Sequence, residues 1–190
     1  MLADLNKNYA ILVNKNYTLP KDYVPNDLIL IDSKYSIKGE GRVKAVNSFI
    51  KMCNDALDKN LHIINESAYR SYERQKELYD IDYAKKGSIA NDTLALPGSS
   101  EHQTGLAFDL CTNEYNMYNF DKSNEFIWLI KNAHKYGFIL RYPKGMKHIT
   151  GYNYEPWHFR YLGTDLATKV YNSNLTYDEY YFKYIEKPLD

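Results

Sequence analysis

FILRYPKGMKHITGYNYEPWHFRYLG, residues 138–163, holds two apolar stretches, 138–142 and 157–163, around a polar connection. Aromatic and β-branched residues crowd both stretches, so each reads as a strand, and consecutive strands of this kind pair directly. The connection lies where a cleft rim is expected. Upstream, GLAFDLC at 105–111 alternates as a strand does, and LHIIN at 61–65 is a short branched apolar run that reads as a buried strand. Between them stand three helical patterns. Residues 41–58 place Val43, Val46, Phe49, Ile50, Cys53, Ala56 and Leu57 on one face. Residues 72–86 follow Ser71 as N-cap and stop at Gly87, and residues 124–136 follow Ser123 or Asn124 and stop at Gly137. The tail from Thr164 offers two short helices. Helices and strands in this order predict an α+β domain, with a small, mainly antiparallel sheet flanked by helices.

The first 37 residues carry no such regularity. Pro20 and Pro25 punctuate them, and the apolar runs Tyr9 to Val13 and Leu28 to Ile31 suit short strands or wrapping segments. The expected organisation is a single domain, 1–190, with 1–37 as an irregular N-terminal wrap and 60–165 as the functional core.

Composition narrows the partners. The 190 residues carry 24 basic and 24 acidic side chains, a net charge of zero. Nucleic acid and anionic membranes both select basic surfaces, so neither is expected as a partner. No window approaches the ~18 apolar residues of a membrane span. The stretch MLADLNKNYAILVNKNY interrupts each apolar run with Asn, Lys or Asp and has no signal-peptide pattern. The expected location is extracytoplasmic if an export signal or anchor precedes Met1, and cytoplasmic otherwise. Cys53 and Cys111 are expected to be free core residues. The 20 tyrosines accompany abundant Asn, Lys and Ile and read as the mark of an AT-rich coding sequence.

Two segments carry groups suited to chemistry. SSEHQTGLAFDL, 99–110, places His102 and Asp109 seven positions apart; YEPWHFRYLG, 154–163, places Glu155 and His158 three apart. Two imidazoles and one carboxylate suit zinc and leave one tetrahedral corner open, whereas structural zinc sites close all four. Glu155 then stands as a base for water at the open corner. Gly105 and Ala107 allow close backbone approach, and Ala107 and Asp109 share one strand face. Positions i and i+3 of a regular strand face opposite ways, so Glu155 and His158 require a bend or bulge near Pro156. His62, His134 and His148 read as ordinary structural or surface residues.

The run Ser100-Glu101-His102-Gln103-Thr104-Gly105-Leu106-Ala107-Phe108-Asp109 fits the pattern S-x-H-x-x-G-x-A-x-D throughout. With Glu155-Pro156-Trp157-His158 it resembles the zinc D,D-peptidases of the VanY type, within the wider group of D-Ala-D-Ala metallopeptidases, lysostaphin-type enzymes and the hedgehog fold. The likeness extends to AYRSYERQ, 68–75, and to 138–163. It implies His102, Asp109 and His158 as ligands of one zinc ion per chain, Glu155 as catalytic base, and Arg70 as the arginine that binds substrate and stabilises the transition state. It also places Gln75, Ser100 and Tyr152 near the substrate's peptide terminus. Read from the residues alone, Gln75 is an exposed helix position, Ser100 a turn cap and Tyr152 a core residue.

The implied activity is a D,D-carboxypeptidase acting on the terminal D-Ala-D-Ala bond of peptidoglycan stem peptides, working as a monomer. An L,D-carboxypeptidase on tetrapeptide stems and a bifunctional D,D-dipeptidase/carboxypeptidase share this chemistry. The non-enzymatic alternative is a hedgehog-like zinc module that binds a partner. Glu155 separates these classes, because a binding module has no use for a base beside an open metal position.

Overall fold

Alternation along 107–111 and 155–161 sets the architecture of the computed structural model, which describes residues 1–92 and 94–186. Its elements in chain order are β1 (Leu28–Leu30), β2 (Glu40–Arg42), α1 (Val43–Leu57), β3 (Ile64–Ser67), α2 (Tyr72–Lys86), β4 (Ala107–Cys111), α3 (Asn124–Asn132), β5 (Phe138–Tyr142), α4 (Lys147–Thr150), β6 (Glu155–Tyr161), α5 (Thr164–Ser173) and α6 (Tyr177–Tyr184). Short 3-10 turns connect several of them. The main sheet has the order β3-β4-β6-β5, with every neighbouring pair antiparallel, and β1-β2 forms a small second sheet. The expected α+β class with a small antiparallel sheet is what the chain adopts.

Register decides what each face does. Phe108 lies opposite Phe159, and Asp109 opposite His158. Successive residues point to opposite faces, so the phenylalanines go one way and the two polar groups the other. On the apolar face α1 packs Phe49 against Phe108 and Phe138, with ring centroids 5.3 and 6.4 Å apart. Phe49, Phe108, Phe138 and Phe159 are fully buried. Truncating any one of them to alanine is expected to cost about 3–5 kcal/mol.

Helix ends follow their sequence signals. The Ser71 hydroxyl accepts from the Arg74 amide, and Gly87 ends α2 with φ +60°. Ser123 caps α3 by accepting from the Phe126 amide. The predicted helix over 124–136 is α-helical only to Asn132; its last turn, Ala133–Tyr136, tightens to 3-10 before Gly137. Both tail helices form, and α6 opens on a capping box between Thr176 and Glu179.

One expectation shifts and one open reading is resolved. The strand expected at 61–65 starts at Ile64, because Leu61 still bonds back to the carbonyl of Ala56 as α1 ends. The run Tyr9 to Val13, open to either reading, takes the wrapping one: a 3-10 turn covers Leu5–Ala10, and Ile11, Leu12 and Val13 are buried outside any strand. The polar connection before β6 contains α4 and brings Tyr152 to the edge of a cleft. Cys53 and Cys111 are free and buried, as expected.

Candidate active site

β4 and β6 supply two of the three predicted ligands as direct cross-strand partners, Asp109 and His158. The third, His102, comes from the 3-10 turn Glu101–Thr104 that feeds β4. Ser100 caps this turn by accepting from the His102 amide, and Gly105 closes it with φ +67°. A Cβ on Gly105 would stand 2.8 Å from Leu28 Cδ2, so both its conformation and its space call for glycine.

The expected distortion of β6 is present. Leu140 pairs with Phe159, yet Tyr142 pairs with Glu155, so β6 spends two extra residues over that interval. This brings Glu155 and His158 to one side, with Glu155 Oε2 3.6 Å from His158 Nδ1. A cleft of about 730 Å³ opens over the cluster, lined by His102, Asp109, Glu155, His158, Arg70, Gln75, Ser100 and Tyr152. All eight predicted residues therefore meet at one place. His62, His134 and His148 do not line it; His134 instead stacks on Tyr171 with centroids 3.9 Å apart.

The donor set fits a zinc ion. One ligand atom each from His102, Asp109 and His158 lies within 4.8 Å of the others, and all three residues are buried. His102 Nδ1 lies 2.6 Å from the Ala68 carbonyl, which leaves Nε2 facing Asp109 Oδ2 at 3.1 Å. His158 turns Nδ1 toward Asp109 Oδ1 at 3.3 Å. Asp109 Oδ1 is buried with no hydrogen-bond partner, a state that a cation would relieve. Two imidazoles and a carboxylate are ordinary zinc ligands.

Electrostatics set the ligands apart from the base. Burial pushes the Glu155 carboxyl up to about 8; His158 opposes this and the negative Asp109 adds to it. Burial acts on Asp109 in the same upward sense, but His102 and His158 outweigh it and hold that carboxyl well below its usual range. Desolvation lowers His102. It would also lower His158, but the neighbouring carboxylates of Asp109 and Glu101 lift that imidazole to about 9. A bound divalent cation would draw both His158 and Glu155 back toward their proton-free forms.

Arg70 reaches the cluster from the loop after β3. Its guanidinium donates to Gln75 Oε1 at 2.8 Å and Ser67 Oγ at 3.0 Å, and lies 3.7 Å from Asp109 Oδ2. Gln75 is 1% exposed rather than an outward helix position, and its amide donates to the Ala95 carbonyl at 2.6 Å. Gln75 thus holds Arg70. Tyr152 is buried, tilted against Tyr142, and its hydroxyl has no hydrogen-bond partner.

Sequence reasoning missed Glu101, which occupies the open position of S-x-H. It is 1% exposed and lies 3.4 Å from His158 Nε2. It also missed Arg141 and Arg160, both fully buried and both bonded to Glu101. The available signal was one arginine inside β5, whose other residues are apolar or aromatic, and a second in β6 beyond the site residues Glu155 and His158.

Comparison with known proteins agrees with this geometry. The family model described as VanY, D-alanyl-D-alanine carboxypeptidase, matches residues 40–164. The chain is 40% identical over 186 residues to the putative carboxypeptidase YodJ of Bacillus subtilis, covering 93% of this chain and 68% of that protein. It is 34% identical over 182 residues to a D-alanyl-D-alanine carboxypeptidase of Enterococcus faecalis, covering 90% of this chain and 64% of the relative. The chain thus spans about two thirds of the length of these relatives. Among solved structures, the LdcB LD-carboxypeptidase superposes with a TM-score of 0.88 at 39% identity, covering 95% of this chain and 88% of that one. A VanY D,D-pentapeptidase from a VanB-type resistance cassette, in complex with Zn(II), superposes with a TM-score of 0.78 at 32% identity, covering 90% and 98%. A family model over most of the chain, a zinc-binding relative of the same fold, and a His–Asp–His corner beside a buried glutamate place this chain in the VanY family of zinc D-alanyl-D-alanine carboxypeptidases.

Proposed function

We propose that the chain is a zinc-dependent D,D-carboxypeptidase that removes the terminal D-alanine from peptidoglycan stem peptides. The observation that carries this reading is the convergence of Glu155 and Arg70 on one cleft with the three-ligand corner. When bound, zinc supplies Lewis-acid chemistry, acidifying a water and polarising the scissile carbonyl. His102, Asp109 and His158 hold it.

Glu155 takes a proton from the water as its oxygen bonds to the carbonyl carbon. As the C–N bond breaks, the same carboxyl delivers that proton to the leaving nitrogen, which departs as the amine of D-alanine. Glu155 ends ionised and ready to accept again. Arg70 offers its guanidinium to the negative charge that grows on the carbonyl oxygen, and Gln75 and Ser67 fix that guanidinium before substrate arrives. Burial of Glu155 and Gln75, with Arg70 part-buried beside them, limits screening of their fields. The Tyr152 hydroxyl is free to donate to the substrate's peptide or carboxylate.

The chain acts as a monomer, with 60–165 as catalytic core and 1–37 as its wrap. No described helix is long and apolar enough to cross a membrane. A second reading, L,D-cleavage of tetrapeptide stems, is favoured by the likeness to an LD-carboxypeptidase.

Mass spectrometry of the products from a pentapeptide, a tetrapeptide and free D-Ala-D-Ala separates the two readings. Loss of one D-alanine from the pentapeptide, with the tetrapeptide untouched, is the expected outcome. Cleavage of the tetrapeptide alone would replace this reading with the L,D one, and preference for the free dipeptide would replace it with a dipeptidase.

A further inference from the structure

We infer that Glu101 is a positioning residue for the metal: its carboxylate accepts the Nε2 hydrogen of His158 and so commits Nδ1 of that imidazole to the ion. This rests on the reading of His158 as a ligand. Glu101 precedes His102 in the chain, yet it acts on the ligand 57 residues away.

The two oxygens of Glu101 have different partners. Oε1 accepts from Arg141 Nε at 2.8 Å and from Arg160 Nη1 at 2.7 Å. Oε2 faces His158 Nε2 at 3.4 Å. Arg141 is held in turn by Asp178 of α6, which also accepts from Asn14. Arg160 donates Nη2 to the backbone carbonyls of Tyr9 and Ile11 and Nε to that of Tyr161.

Two carboxylates and two guanidiniums balance this network in charge. Glu101 therefore stays ionised without help from His158. An ionised oxygen facing Nε2 repels a lone pair and attracts a hydrogen, which leaves the lone pair on Nδ1. Nδ1 is the nitrogen that faces Asp109 and Glu155. His102 does the reverse, spending Nδ1 on the Ala68 carbonyl and presenting Nε2. The two histidines thus offer opposite nitrogens, each fixed by the acceptor behind it. For His158 that acceptor is a full negative charge, which strengthens the ligand, and its own position is set by α6 and the N-terminal segment.

The test measures zinc affinity by chelator competition in Glu101→Gln, beside Asp178→Asn, which loosens the same network without touching a ligand. Glu101→Gln is expected to bind zinc about 10–100-fold more weakly, the usual effect of losing such a partner. Asp178→Asn is expected to weaken zinc binding less than Glu101→Gln does, because Arg160 still holds Glu101 when Arg141 is released. Unchanged affinity in a folded Glu101→Gln, or equal weakening in both variants, would overturn the role. Should Glu101→Gln fail to fold, nitrogen-15 NMR of zinc-loaded parent protein decides. A His158 Nε2 hydrogen protected from exchange upholds the assignment, and zinc on Nε2 or an unprotected hydrogen refutes it. If His158→Ala kept one bound zinc, the ligand reading itself would have failed, and that outcome is distinct from the others.

Discussion

Two groups of buried charges lie side by side on one face of the sheet, meeting where Glu101 faces His158. One opens on the cleft: Arg70, His102, Asp109, Glu155 and His158. The other is closed: Glu101, Arg141, Arg160 and Asp178, all 4% exposed or less. The closed set is paired and charge-balanced. In the open set, Glu155 is pushed up to about 8, Asp109 Oδ1 has no hydrogen-bond partner, and the neighbouring Tyr152 hydroxyl has none either. Both sets are deeply placed, with Arg70 only part-buried; the difference lies in the carboxylates, all paired in the closed set, where Arg141 Nη2 alone has no hydrogen-bond partner. Buried carboxylates are normally paired, so the unpaired Asp109 oxygen in the open set marks where something else binds, and the paired carboxylates of the closed set mark what holds it in place.

The comparison can be broken at three points. His102→Ala removes a ligand from the open set, so bound zinc should fall close to zero and activity with it, as read by metal analysis and turnover. Retention of one zinc per chain would show that the open set is not the metal corner. Asp178→Asn removes a charge from the closed set. It should cost about 3 kcal/mol, the scale of a broken buried pair, and lower Tm while zinc-loaded turnover stays near the parent's. A lost metal with an unchanged Tm would reverse the roles of the two sets.

The smallest effect concerns Glu155 in chelator-treated protein. Its folded carboxyl titrates at about 8, above the ~4.3 of an unfolded glutamate, so the folded state holds the proton more tightly. That stability is complete below the unfolded value and is lost as pH rises through 8. Glu155→Gln should therefore melt higher than the parent at pH 9, by about 2–4 °C per kcal/mol relieved, and the gap should close toward pH 4. A gap that widens in acid would contradict the assigned burial.

The convergence of His102, Asp109, Glu155 and His158, and the strands that carry them, were legible because each rests on local pattern. His102 and Asp109 share a turn and a strand, and the conflict at Glu155 and His158 already required the bulge found between β5 and β6. The closed set was not legible. Glu101 meets Arg141 and Arg160 across 40 and 59 residues, and no spacing rule reaches that far. Of the two readings open for Tyr9 to Val13, strand or wrapping segment, the chain takes the second, because the carbonyls of Tyr9 and Ile11 are satisfied by Arg160 instead of a neighbouring strand. Gln75 was placed near the substrate by the resemblance alone; α2 has no clear apolar face, so nothing in its periodicity shows that its one buried side chain serves Arg70.

The most direct test of the central claim is zinc content and turnover measured on one preparation of Glu155→Gln. One zinc per chain with turnover of the pentapeptide reduced about 10²–10⁴-fold is the predicted result, because the base is lost and the metal corner is kept. Near-parental turnover with zinc in place would contradict it.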